Sequence, residues 1–142
     1  MIFTKFQTKY IEWELDIEDE LDAYDALGKI VFLGNEGKIE DDCTYLDSFF
    51  EALALGFPQI EVGKTIVIDP IVEPNDIVFE CTSDRLKISY GSQIAIVFNL
   101  VEFLNDCREA IERFVETIDT LTHQAKQEKR RLFYLREYLD RT

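Results

Sequence analysis

Histidine occurs once in this chain of 142 residues, at His123, and cysteine three times, at Cys43, Cys81 and Cys107. One histidine and three scattered thiols exclude a zinc cluster, which needs several such ligands at short spacing. The odd count without a C-x-x-C pair excludes a disulfide framework. Six glycines supply neither G-x-G-x-x-G nor a P-loop, so no phosphate cradle opens a helix. No G-x-S-x-G turn offers a serine nucleophile, and no residue near His123 in sequence resembles one. Long apolar runs are also missing. The longest, around Ile94 to Leu100, is strand-sized, far from the roughly 20 residues that span a bilayer. The first residues, Met1 to Phe6, carry no apolar export core, and with unpaired thiols this predicts a cytoplasmic protein.

Positive charge is scarce as well. Fifteen Lys and Arg face 29 Asp and Glu, a formal net charge of −14. Such a field repels nucleic acid and anionic membranes, and attracts basic proteins or metal cations. It also serves solubility alone.

What the chain has in quantity is apolar and acidic side chains. Hydrophobic residues make up 46% and aromatics 13%, with eleven Phe and six Tyr. That composition supports one folded domain over residues 1–142. Carboxylates cluster first at Glu12, Glu14, Asp16, Glu18, Asp19, Glu20, Asp22 and Asp25, with no base between them. A second cluster holds Glu36, Glu40, Asp41, Asp42 and Asp47. Residues 16–22 lack the central glycine and terminal bidentate Glu of an EF-hand loop. The acids therefore read as a solvated face or as a docking face for a basic protein. No metal and no cofactor is expected.

Periodicity lays out the elements. Ile11, Trp13, Leu15 and Ile17 alternate with acids, a strand with one wet face. Residues 18–27 read as a short acidic helix or turn capped by Gly28. Lys29 to Leu33 is a strand ended by the turn at residues 34–37. Tyr45 to Leu55 is an amphipathic helix with Leu46, Phe49, Phe50 and Leu53 on one face. Its N-cap falls at Thr44 or Asp42, and Gly56 with Phe57-Pro58 ends it. Strands follow at 65–69, 77–81, 85–90 and 93–99, the last three as an antiparallel meander. No internal repeat is apparent. The fold class is α+β, with an antiparallel sheet of about five to six strands covered on one face by helices.

The C-terminal segment, 101–142, contains no Gly or Pro up to Asp140. Its seam runs through Leu100, Leu104, Cys107, Ile111, Phe114, Ile118, Leu121, Ala125, Leu132, Leu135 and Leu139 in steps of four and three, with Glu128 holding the seam position between Ala125 and Leu132. One helix over this span is about 60 Å long, against a domain diameter of roughly 35–40 Å. It must fold back as a helical hairpin near residues 120–130, or protrude and pair in a homodimer, or fray. Residues 126–142 hold six bases and three acids, a net of +3, while residues 1–125 hold nine bases and 26 acids, a net of −17. The basic end is drawn to acid, its own or another chain's.

The order of elements resembles that of small bacterial immunity proteins, antidotes encoded beside polymorphic toxins. The likeness lies in acidic N-terminal strands, the helix entered through Asp42-Cys43-Thr44-Tyr45-Leu46-Asp47, Glu73-Pro74, the strands through Ile88-Ser89-Tyr90-Gly91, and a terminal helix from Leu100. It covers residues 10–120 and leaves the basic extension after Leu121 unexplained. The resemblance implies a non-enzymatic protein that binds a basic toxin face. Two other readings stand beside it: a homo-oligomeric structural protein assembled through the C-terminal helix, and a carboxylate-based metal-binding domain or small hydrolase.

Overall fold

A computed structural model describes residues 5–15, 26–70, 75–83, 85–121 and 133–141. Eight strands form one antiparallel sheet: β1 Lys5–Gln7, β2 Ile11–Leu15, β3 Leu27–Leu33, β4 Glu36–Tyr45, β5 Ile66–Ile68, β6 Ile77–Thr82, β7 Arg85–Tyr90 and β8 Gln93–Val97. Three helices accompany them among the described residues: α1 Leu46–Glu61, α2 Leu100–Leu121 and α3 Phe133–Arg141. The α+β class and the antiparallel sheet are as expected. The strand number is larger than five to six because β1 and β4 carry no clean alternation. β4 spends its first residues on Glu36-Gly37-Lys38 and its middle on three consecutive acids.

The strand order is β1-β2-β3-β4-β8-β7-β6-β5. Four strands and a helix are followed by four strands and a helix, and the two units meet where β4 pairs with β8. This repetition is one of topology and leaves no trace in the residues. The helices cross over. α1 follows β4 yet makes its fullest contacts with β5, and α2 follows β8 yet packs on β2 and β1.

One hydrophobic core lies between sheet and helices. Phe32 sits at its centre, edge-on to Phe79 at 5.4 Å and close to Phe49 and Phe103. Trp13 meets Phe114 edge-on at 5.8 Å, and its indole N–H donates to the Ala110 carbonyl at 3.0 Å. Each such aromatic pair adds about 0.5–1.5 kcal/mol beyond area burial.

Several boundaries differ from the sequence reading. α1 does not stop at Gly56 or Pro58 but runs to Glu61. Its buried stripe continues through Phe57 and Ile60, and that burial outweighs the bond lost at Pro58, an interior helix cost of about 3 kcal/mol. Gly56 serves packing there, since a Cβ would sit 2.4 Å from the Ile66 side chain. The N-cap is Tyr45, with no side-chain cap bond. Thr44 instead donates its hydroxyl to the Pro70 carbonyl at 3.3 Å. Gly28 lies inside β3 and caps no helix. A Cβ there would come within 2.2 Å of the Glu14 carbonyl oxygen. Of the expected acidic helix or turn at 18–27, residues 18–25 lie outside the described residues, and Leu27 begins β3 instead.

The C-terminal segment is not one 60 Å rod. α2 ends at Leu121, and α3 lies against both α1 and α2. This is the hairpin alternative. Arg136 forms a two-pronged bond to Asp119, Arg108 donates to the Leu139 carbonyl at 2.8 Å, and the Tyr138 ring packs tilted against Phe57 at 5.5 Å. Ile111, Phe114, Ile118 and Leu135 are at most 1% exposed, while Leu104 and Leu139 pack on the core from its edge. The side chains of Leu121 and Leu132 lie outside the described residues. The described seam residues Ile111, Phe114, Ile118 and Leu135 are thus buried within the one chain.

Candidate functional site

All three helices lie on one side of the sheet. Among the described residues no helix covers the other side, and its surface is set by strand register. Residues directly opposite share a face, so two rows can be followed across the second unit. One runs Val67, Val78, Ser89, Ile94 over β5, β6, β7 and β8. The next runs Glu80, Lys87, Ile96, Glu36 over β6, β7, β8 and β4. Val67 is 58% exposed and Ile94 46%, with Val78 and Ile96 half-buried beside them. Arg85 lies 4.4 Å over the ring of Phe98 next to this band. The result is an apolar strip with charged residues along its margin.

The same face turns acidic on the first unit. Glu12 stands opposite Val31, and Val31 opposite Glu40, while Glu14 stands between Lys5 and Lys29. Lys29 closes an ion pair with Glu40 and lies 3.9 Å from Asp42. Hydrogen bonding to Glu40 raises the Lys29 ammonium above its ordinary value, and the same bond lowers the Glu40 carboxyl. Both groups are wet, and a surface pair of this kind adds little stability. Its effect is local neutralisation, which leaves Glu12, Glu14 and Asp42 as the surplus acid. Among the described residues of this face, Glu12, Glu14, Glu36, Glu40 and Asp42 stand against Lys5, Lys29 and Lys38, a net of −2.

This layout brings together part of the predicted acidic face and divides the rest. Glu12, Glu14 and Asp42 share the open side of the sheet. Asp41 and Asp47, expected on that face, are each only 2% exposed and belong to the interior. Asp41 is two residues from buried Ile39 in the same unbroken register with β3, so it points inward, and it accepts the Cys43 N–H at 3.1 Å. Asp47 is in the buried first turn of α1. Neither can meet a partner's lysine. Asp16, Glu18, Asp19, Glu20, Asp22 and Asp25, like His123, lie outside the described residues.

Missing from the sequence reading is the apolar half of the face. Its signal was present: β5 and β8 are apolar at both parities, Ile66-Val67-Ile68 and Ile94-Ala95-Ile96-Val97, where a strand with one wet side alternates.

Other features fit no site. Cys107 is fully buried, and desolvation with nearby Asp106 pushes its thiol well above the usual range, so it is no nucleophile. A shallow depression on the outer side of α2, among Asn105, Arg108, Glu109, Glu112, Arg113 and Glu116, is a solvated helix surface. Ion pairs Arg108–Glu112 and Arg113–Glu116 cross it. At the start of α2, Glu102 accepts from the Tyr10 hydroxyl at 2.9 Å and from Lys9 at 3.3 Å, and these bonds lower its carboxyl. That cluster ties the β1–β2 hairpin to the helix. Among the described residues no three His, Cys, Asp or Glu converge on a metal position, and no helix is long and apolar enough to cross a membrane.

Comparison with protein-family models, with curated proteins and with solved structures finds no match for this chain.

Proposed function

We propose that the chain is a non-enzymatic, cytoplasmic protein-binding domain that presents the uncovered side of its sheet to a basic partner. The observation that carries this reading is the exposed strip of Val67, Val78, Ile94 and Ile96, continuous with surplus acid at Glu12, Glu14 and Asp42. Apolar contact at the centre supplies affinity and slows dissociation, while acid at one end steers encounter. An antidote that neutralises a basic toxin is the sharpest form of this reading, supported by the order of elements and the net charge of −14.

The test is partner capture from the native host followed by titration of each captured protein against wild type and two variants. Val67→Glu with Ile94→Glu should weaken binding at least tenfold, about 1.4 kcal/mol, by placing charge in the strip. Glu12→Lys with Glu14→Lys should slow association and flatten its dependence on salt. Partners that bind all three proteins alike, or the absence of any basic partner, overturn the proposal.

A further inference from the structure

The sheet ends in β1 on one side and β5 on the other, and the two edges are finished differently. β1 exposes Lys5 and Gln7, and the Arg113 guanidinium lies 5.9 Å over the ring of Phe6 between them. Cations on an edge strand discourage further pairing. β5, Ile66-Val67-Ile68, carries no charge, and among the described residues nothing pairs with its outer side. An edge strand turns the N–H and C=O of alternate residues away from its neighbour. That backbone is complementary to another extended chain.

The side chains along this edge are apolar toward both sides of the sheet. Val67, 58% exposed, continues the strip of the open side. On the covered side, α1 meets β5 where Gly56 lies against the Ile66 side chain. Ala52, Gly56 and Gln59, spaced four and three, therefore line the flank of α1 that overlooks β5. Ala52 and Gly56 keep that flank low, and Leu55, 60% exposed, stands at its shoulder. The described residues between 62 and 82 hold Asp69, Asp76 and Glu80 against Lys64, three acids to one base and a net of −2.

We propose that the basic partner engages β5 by strand addition: an extended segment of three or more apolar residues, flanked by lysine or arginine, pairs along β5 as a ninth strand. The inference rests on the reading of the open side given above and specifies how the partner attaches there. The uncharged edge selects an extended chain. Apolar surroundings on both sides select consecutive apolar residues, with one set of side chains beside Val67 and the alternate set beside the low flank of α1. The net negative charge selects basic ends over acidic ones. The added strand would lie about 4.8 Å outside β5 and lengthen the row Val67, Val78, Ser89, Ile94 by one position.

The probe is a capped peptide of three valines between paired lysines, titrated into the full-length labelled chain and followed by amide NMR. Saturable shifts should centre on residues 65–69, and amide exchange at alternate residues of β5 should slow roughly tenfold at saturation. Methylating the central valine nitrogen, or the two outer ones, removes opposite sets of N–H donors, so one form should lose roughly tenfold in affinity while the other binds as before. Replacing the lysines by glutamates should weaken binding roughly threefold or more. Binding indifferent to both methylations, shifts confined to Ile94 and Ile96, or no saturable shift at β5 at millimolar peptide overturns strand addition and leaves the open-side reading standing. That reading fails separately, when no basic partner is captured. Equal binding of the glutamate peptide overturns the basic occupant. A dimer of the chain itself through β5, sedimenting near twice 16.6 kDa, also overturns the proposal.

Discussion

Gly37 shows how one residue decides whether the sheet is continuous. It has φ +72°, and a Cβ there would lie 2.1 Å from the Ile94 carbonyl oxygen. It also supplies one of the two register pairs that join β4 to β8. Gly37→Ala is therefore expected to cost about 2–3 kcal/mol, through left-handed backbone and a clash together. A urea titration should record this as a lower midpoint with an unchanged slope. An unaltered midpoint would mean that the junction adjusts freely. Residue by residue, the core was readable from the sequence. Leu46, Phe49, Phe50 and Leu53 are buried as their spacing required. The direction of Asp41 follows from its two-residue spacing to Ile39, but it was missed because β4, with Ile39 as its one aliphatic residue among Glu40, Asp41 and Asp42, was not recognised as a strand.

At the level of elements, the seam between the units depends on side chains as much as on backbone. The Gln93 carboxamide accepts the Glu40 N–H at 2.8 Å and donates to the Glu40 carbonyl at 3.4 Å, and the Asn35 side chain accepts the Phe98 N–H at 2.9 Å. Gln93 thus extends β8 past its own end by imitating a peptide unit. Gln93→Ala should cost about 1 kcal/mol, and amide exchange at Glu40 should speed up several-fold while amides in β6 and β7 hold their rates. Uniform acceleration across the sheet would show that Gln93 acts globally. The β6–β7–β8 meander was legible because its strands alternate and its links are short. β4 was not, because a strand at the join of two units follows tertiary pairing more than its own propensity. The apolar stripe of α1 through Phe57 and Ile60 was visible, but Gly56 and Pro58 outweighed it in the reading although packing overrides both.

For the molecule as a whole, the seam of the C-terminal helices identified a real excess of apolar surface, and the chain resolves it by turning back on itself. The open side of the sheet escaped the sequence because an uncovered face is a property of layers, which local periodicity does not encode. The crossing of the helices has a consequence for the chain's integrity. α1 contacts β5 most fully and α2 contacts β2 and β1, so each half is roofed largely by the other. Severing the backbone at Gly63–Lys64, an exposed site with open space around the glycine, would yield two pieces that cannot mature separately. Co-produced, they should assemble into one stoichiometric complex, and apart each should be insoluble. A soluble, ordered single fragment would contradict this. Such mutual dependence makes the polypeptide behave as a covalently tethered pair, in which losing either moiety forfeits both.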